Sequence, residues 1–217
     1  MSIFQIIWDA LKRFWDDLFI LVLMNLLTVL LAFPVITLPP ALAGLWYVAN
    51  QIANGHSAQW SDYFWGFRHY FLRSWALALI NIFLLLVVLT NIRFYDPDLN
   101  PLIHSETLSA WIRGFFIVLG FLWWCYQIYP MAVLLEQEQP RIGWALRNSA
   151  ILFIANPGFT ILLGILVIVW AIICTLVPPL LALVSLSLLA VVCNQAVVYL
   201  LKPFREKAKK ESDQNTL

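Results

Sequence analysis

Four long runs of the sequence contain no Asp, Glu, Lys or Arg, and they constrain the fold more than any other feature. They cover residues 18–61, 74–92, 114–135 and 148–201, and are 44, 19, 22 and 54 residues long. A helix needs about 20 apolar residues to cross about 30 Å of hydrocarbon. The two shorter runs therefore each predict one membrane segment, and the two longer runs are each long enough for two.

Composition excludes the soluble alternatives. Of the 217 residues, 62% are hydrophobic and 12% are charged, whereas soluble domains average about 25% charged residues. A soluble fold of this size could not hide so much apolar surface from water. We therefore exclude a soluble enzyme, a disordered chain and a disulfide-rich secreted module. The composition predicts an all-α, polytopic helical membrane protein that has the lipid bilayer as its partner.

A proline pair lies near the middle of each long run, Pro39-Pro40 in the first and Pro178-Pro179 in the second. Proline lacks an amide donor and disfavours helical backbone in the preceding residue, so each pair predicts a break. We predict three hairpins, the middle one with its tip at Asp96-Pro97 and Pro101. The six membrane segments are 18–34, 38–54, 73–92, 113–135, 158–177 and 180–201. The first two are short, and a re-entrant hairpin fits them nearly as well as two crossings.

Lys and Arg are distributed unevenly between the two sides of this arrangement. With a cytoplasmic N-terminus and six crossings, only Arg93 and Arg113 lie outside, and the other eleven of the 13 basic residues lie inside. Short cytoplasmic loops carry an excess of Lys and Arg. The bias predicts a multi-pass protein of the cell membrane with both termini in the cytoplasm. A re-entrant first hairpin leaves the termini on the same side, so the bias is compatible with it.

We divide the chain into three parts. Residues 1–17 form an amphipathic helix at the membrane interface, 18–201 form a single transmembrane domain, and 202–217 form a basic, polar cytoplasmic tail. The first part carries apolar side chains at helical spacing, at Ile3, Ile7, Ala10 and Phe14. Residues 58–72 show a similar pattern, which fits an interfacial connector or a docking helix for a partner subunit.

The sequence contains no pattern typical of catalysis or of cofactor binding. Charged residues occur in the predicted segments only near their ends, and there is neither an HExxH motif nor a Gly-rich phosphate loop. The three cysteines have no paired spacing. We therefore predict no catalytic residue, no metal, no other cofactor and no nucleic-acid partner, and we expect that the protein is not an enzyme.

Uncharged polar side chains remain within the predicted segments, at Asn25, Thr28, Asn81, Gln127, Asn194 and Gln195. Such groups need hydrogen-bond partners in hydrocarbon. They fit two alternatives: hydrogen bonds between helices, which contribute about 0.6 kcal/mol each, or a polar pocket for a neutral solute. We favour the first.

The residues around the first hairpin resemble a known family. Asn25-Leu26-Leu27 is followed by a Pro-rich turn and by Gly44-Leu45-Trp46-Tyr47, and together these resemble the signature region of the YesL-like family of bacterial integral membrane proteins. The signature residues are Pro34, Thr37, Pro39, Pro40, Ala41, Gly44 and Tyr47. The similarity covers residues 15–90, and the family often has Gly where Pro39 stands here.

The resemblance implies a bacterial plasma-membrane protein whose family has no established biochemical function. Its members are often associated with carbohydrate uptake systems, and no catalytic or binding residue is implied. We therefore expect an accessory protein of solute uptake that associates with other membrane transport subunits. The alternative is a stand-alone facilitator or transporter of a neutral polar solute, and a membrane-embedded enzyme is the least favoured class. The sequence leaves the oligomeric state open.

Overall fold

The computed structural model describes residues 3–100 and 105–215, and the regular structure within these ranges is helical. The helices are α1 (Ile3–Asp16), α2 (Leu18–Leu31), α3 (Leu38–Ala53), α4 (Trp60–His69), α5 (Phe71–Phe94), α6 (Glu106–Tyr126), α7 (Pro130–Leu135), α8 (Ile142–Ala155), α9 (Pro157–Leu176), α10 (Pro178–Leu180) and α11 (Leu186–Asn215). A 3-10 turn, Val35–Thr37, precedes α3, and a π-helical turn, Leu181–Ser185, precedes α11. Pro101, part of the predicted middle tip, lies outside the described residues.

Among the described residues, four stretches are long and apolar enough to cross a membrane: Phe71–Phe94, Glu106–Leu135, Pro157–Leu176 and Pro178–Lys207. They contain the predicted segments 73–92, 113–135 and 180–201, and all but the last residue of 158–177. A fifth candidate is the pair α1 and α2, which is bent by 87°. The prediction of a helical protein is therefore confirmed for the described residues, and four to five of its segments are long and apolar enough to span a membrane.

The first hairpin is shorter than a pair of full crossings. Helix α2 has 14 residues and α3 has 16, which correspond to about 21 Å and 24 Å at about 1.5 Å per residue. The chain leaves the helical path between them, where Pro34 has extended backbone and the 3-10 turn follows. Proline cannot continue the hydrogen-bond ladder of α2, and this explains the break.

Two features of the second half were not predicted from the sequence. The segment 113–135 is not one continuous helix, because α6 ends at Tyr126 and α7 begins at Pro130. The connection that follows contains α8, which has 14 residues and is apolar. Arg141 and Arg147 interrupt the charge-free pattern there, so a search for charge-free runs misses this helix.

Helix α3 lies at the centre of the bundle, in contact with α2, α4, α5, α7 and α11. On one side, Leu45 and Val48 of α3 belong to an apolar cluster with Leu21 of α2 and Val191 of α11. On the other side, Ala43 belongs to a second cluster that includes residues of α7, α8 and α11. Burial of both sides explains why α3 is the most enclosed helix of the first hairpin.

Helices α3 and α4 approach each other through two glycines. A Cβ atom placed on Gly44 would lie 2.7 Å from the carbonyl oxygen of Tyr63, and one placed on Gly66 would lie 2.7 Å from Cβ of Tyr47. Side chains at either glycine would overlap with the neighbouring helix. Because neither glycine has a side chain, α3 and α4 can pack in direct contact at these two positions.

Helix α1 packs by one side and leaves an aromatic side exposed. Ile6, Ala10 and Phe14 are buried, whereas Trp8 and Trp15 are exposed. The guanidinium of Arg13 donates a hydrogen bond to the carbonyl oxygen of Ile52 at 2.7 Å, which ties α1 to the end of α3. Exposed Trp beside charged residues is typical of a helix at the membrane interface.

Candidate functional site

The six polar residues predicted within the membrane segments do not meet at one place. They are divided among four sites: Asn25 near the π-helical turn, Thr28 against α4, Asn194 near the end of α3, and Asn81 with Gln127 between α5 and the α6–α7 break. Gln195 lies apart from these, and its Oε1 atom is buried without a hydrogen-bond partner.

Asn25 binds the backbone of the last hairpin from within α2. Its Nδ2 donates to the carbonyl oxygen of Ala182 at 2.5 Å, and its Oδ1 accepts from the amide of Ser187 at 2.9 Å. Ala182 lies within the π-helical turn and Ser187 lies just after it, where the regular α-helical ladder is interrupted. Asn25 therefore satisfies backbone groups that this irregularity exposes, and its amide joins α2 to α11.

Thr28 connects α2 to α4 through Tyr63. The Thr28 hydroxyl donates to the carbonyl oxygen of Met24 at 2.7 Å and lies 3.1 Å from the Tyr63 hydroxyl. Burial raises the pKa of Tyr63 to about 12, and the hydrogen bond with Thr28 opposes this rise. The phenol is therefore neutral at physiological pH and serves as a hydrogen-bonding group.

A buried carboxylate organises one end of the bundle. Glu136 Oε1 accepts hydrogen bonds from Asn50 Nδ2 at 2.5 Å and from Asn54 Nδ2 at 2.8 Å, and Arg205 forms an ion pair with Oε2. Asn50 Nδ2 also donates to Asn194 Oδ1 at 3.2 Å. We call these five residues the Glu136 cluster. Only 7% of the Glu136 side chain is exposed, so its charge depends on these donors for compensation.

The Glu136 cluster joins α3, α7 and α11, and the sequence analysis predicted only its Asn194. Asn50 and Asn54 occur one helical turn apart inside a charge-free run, and this spacing is the signal in the sequence that points to a shared partner. Glu136 directly follows a charge-free run, a position that is typical of a solvated residue in a loop. Its partner Arg205 lies 69 residues away, a separation that no local pattern reveals.

Asn81 and Gln127 form a pair on the wall of a cavity. Gln127 Nε2 donates to Asn81 Oδ1 at 2.5 Å. Both residues line a cavity of about 430 Å³ between α3, α5 and the α6–α7 break. Val35 and Pro39, from the first hairpin, line the same cavity. Two of the predicted pocket residues are thus brought together, and a part of the predicted signature region lies beside them.

The signature residues shape the first hairpin. The Thr37 hydroxyl donates to the carbonyl oxygen of Pro34 at 2.8 Å, and Trp75 Nε1 donates to that of Ile36 at 2.9 Å. Pro39 and Pro40 occupy the first turn of α3, where a missing amide donor costs nothing. Ala41 and Gly44 are buried in α3, and the Tyr47 ring packs 4.6 Å from that of Trp65.

The described residues contain no group of three or more His, Cys, Asp or Glu side chains that could hold a metal ion. The three cysteines are buried and free. The Glu136 carboxylate is already bound by amides and a guanidinium. The polar residues described above make hydrogen bonds, and the cavity beside Asn81 is one of several that could hold a further molecule.

Comparisons with known proteins found no relatives. No protein-family model matches the chain, and neither a curated protein nor a solved structure matches it.

Proposed function

We propose that this chain is a YesL-like integral protein of the bacterial plasma membrane that has no catalytic activity and is accessory to solute uptake, carbohydrate uptake included. One observation carries the proposal. Five of the six polar residues in the predicted segments are bonded to other groups of the chain, and only Gln195 has a side-chain atom buried without a partner. Polar groups used in this way stabilise a bundle and leave few sites for a hydrophilic solute.

The second candidate is a stand-alone facilitator of a neutral polar solute. The cavity beside Asn81 and Gln127 favours it, because two amides are placed on the wall of a space of about 430 Å³. The rest of that wall is mostly apolar, with residues such as Leu42 and Ala78. A sugar carries many hydroxyl groups, and such a wall leaves most of them without partners. We therefore rank this candidate second.

A flux measurement separates the two candidates. The full chain is reconstituted into lipid vesicles, and uptake of radiolabelled neutral sugars is compared with that of empty vesicles. We expect equal uptake, because an accessory protein needs its transporter. Uptake above that of empty vesicles, lost in Asn81→Leu but kept in Asn91→Leu on the same helix, would reject the accessory role. Co-purification of transporter subunits with the tagged chain would support it.

We further propose six membrane segments, of which α2 and α3 form a re-entrant hairpin, with both termini in the cytoplasm. The short lengths of α2 and α3 support the re-entrant form. The tip supports it also: Phe33, Val35 and Ile36 are 89%, 72% and 68% exposed, and a tip in water would expose polar side chains. Backbone at membrane depth needs internal partners, and Thr37 and Trp75 supply them here.

A further inference from the structure

The cavity between α3, α5 and the α6–α7 break contains an incompletely used pair of amides. Gln127 Nε2 and Asn81 Oδ1 bond to each other. In the part of the chain that the structure describes, Asn81 Nδ2 and Gln127 Oε1 make no hydrogen bond. The pair thus offers one free donor and one free acceptor beside the cavity. A hydroxyl group can satisfy both, because it accepts through its oxygen and donates through its hydrogen.

The rest of the cavity wall specifies an apolar and uncharged ligand. None of the described residues that line it is charged, and most are aliphatic or aromatic, including Leu38, Leu42, Ala78 and Met131. A charged headgroup would lose its hydration here without gaining an opposite charge. With a volume of about 430 Å³, the cavity falls within the range of small-molecule sites and accommodates a hydrocarbon chain of medium length with a small polar group.

The cavity opens at an apolar part of the protein surface. Val35, Leu38 and Ile82 line it and are exposed on the surface of the protein. Asn81 lies in the spanning stretch Phe71–Phe94, and Gln127 lies in Glu106–Leu135. A molecule dissolved in the bilayer can therefore enter from the side, without passing through water.

We propose that this cavity binds a neutral, single-chain amphiphile from the bilayer through a hydroxyl group held between Asn81 and Gln127. The hydrocarbon chain packs along α3 and α5. The hydroxyl oxygen accepts a hydrogen bond from Asn81 Nδ2, and the hydroxyl O–H donates one to Gln127 Oε1. The site does not depend on the accessory role proposed above, because it requires only that α5 and α6 lie in a membrane.

The test uses the full chain in phosphatidylcholine vesicles and a dodecanol that carries a photoreactive diazirine. We expect crosslinks on peptides that contain Leu38–Leu42 or Ala78–Ile82, located by mass spectrometry. Unlabelled dodecanol should compete with this probe. Dodecyl methyl ether should compete roughly five- to tenfold less well, because it has no donor for Gln127 Oε1. Dodecanoate should compete poorly because of its charge.

Variants locate the site. The double change Asn81→Leu and Gln127→Leu should reduce crosslinking by about tenfold, and Ala78→Phe should reduce it by filling the cavity. Asn91→Leu is the matched control on the same helix, because Asn91 is partly exposed, lies away from the cavity lining and bonds the carbonyl oxygen of Val87 on its own helix. The ether comparison on the unaltered protein stands even when a variant fails to fold. Equal competition by alcohol and ether, or crosslinks spread over the surface of α5 and α6, would overturn the proposal.

Discussion

Gly44 determines how closely α4 can approach α3, and its replacement tests the contact between these two helices. We expect Gly44→Ala to lower the free energy of unfolding by about 1–3 kcal/mol, because the new Cβ would meet a backbone carbonyl oxygen that cannot rotate away. The measurement is thermal or chemical unfolding of the purified protein in detergent. The contact that causes the effect is the 2.7 Å approach to Tyr63.

Gly114→Ala is the matched control for this change. Nothing lies within 4 Å of a Cβ atom placed at Gly114, which also lies in a helix. Alanine forms helices better than glycine by about 1 kcal/mol, so we expect unchanged or slightly higher stability. Equal losses for the two variants would show that the close approach of α3 and α4 is not as described.

Glu136 accepts hydrogen bonds from two amides and forms an ion pair with Arg205. We expect Glu136→Ala to destabilise the protein by about 1–3 kcal/mol, because the buried Asn50 and the half-buried Asn54 lose their shared carboxylate acceptor. The Arg205 side chain is half exposed, so water hydrates its guanidinium once the ion pair is gone. The lost ion pair therefore adds little to the destabilisation. Chemical unfolding measures the change, with Glu138→Ala as the control because Glu138 is exposed. A loss no larger than that of the control would contradict the role given to the Glu136 cluster.

At this scale the sequence indicates which residues need partners but not which partners they have. Asn25, Asn81 and Asn194 stand out because an amide in a charge-free run must be satisfied. Their partners lie far away along the chain: Asn25 binds the amide of a residue 162 positions later, and Asn81 binds one 46 positions later. Separations of this kind depend on how the hairpins pack, and the periodicity of one segment contains no information about that.

Among the elements, the first hairpin is the one whose depth in the membrane matters most. We expect a cysteine placed at Val35, in a chain otherwise free of cysteine, to react slowly with a membrane-impermeant maleimide added from outside. The reason is that a re-entrant tip lies in hydrocarbon, where the reagent does not dissolve. A cysteine at Asn100, between α5 and α6, is the control and should react rapidly. Rapid reaction at both positions would show that α2 and α3 cross completely.

The sequence predicts the end of a helix well where a proline or a charged residue stands at that end. The runs that predict α5, α9 and α11 give segment limits close to those of the spanning stretches. The α6–α7 break was missed, although Pro130 stands at the first position of α7. A single proline inside an apolar run also occurs in kinked continuous helices, so the sequence does not decide between the two forms.

At the scale of the whole molecule, the two ends of the bundle carry different groups of charged residues. Arg13 and the Glu136 cluster lie around the end of α3, and α1 contacts α11. The ion pair of Asp96 and Arg113, at 3.2 Å, lies at the α5–α6 connection. The first group contains basic residues from both terminal regions of the chain. The positive-inside rule predicts that this group faces the cytoplasm.

Labelling of two positions tests this orientation. We expect a cysteine at His56 to react with an impermeant maleimide only after the cells are permeabilised, and a cysteine at Asn100 to react in intact cells. Each cysteine is introduced singly into a chain whose native cysteines have been replaced. The three native cysteines are free and buried, so small apolar residues can replace them in the packing. The reverse pattern would place the termini outside and would reject the orientation.

The bond between Asn25 and the last hairpin has a consequence for how the protein is made. The acceptor and donor that Asn25 uses belong to Ala182 and Ser187, which the ribosome adds long after α2 has been synthesised. A nascent chain that stops before these residues leaves the Asn25 amide without those two partners. If α2 enters the membrane as proposed, it acquires these contacts only when the last helix has been made, and we expect truncated chains to be early targets for membrane proteases.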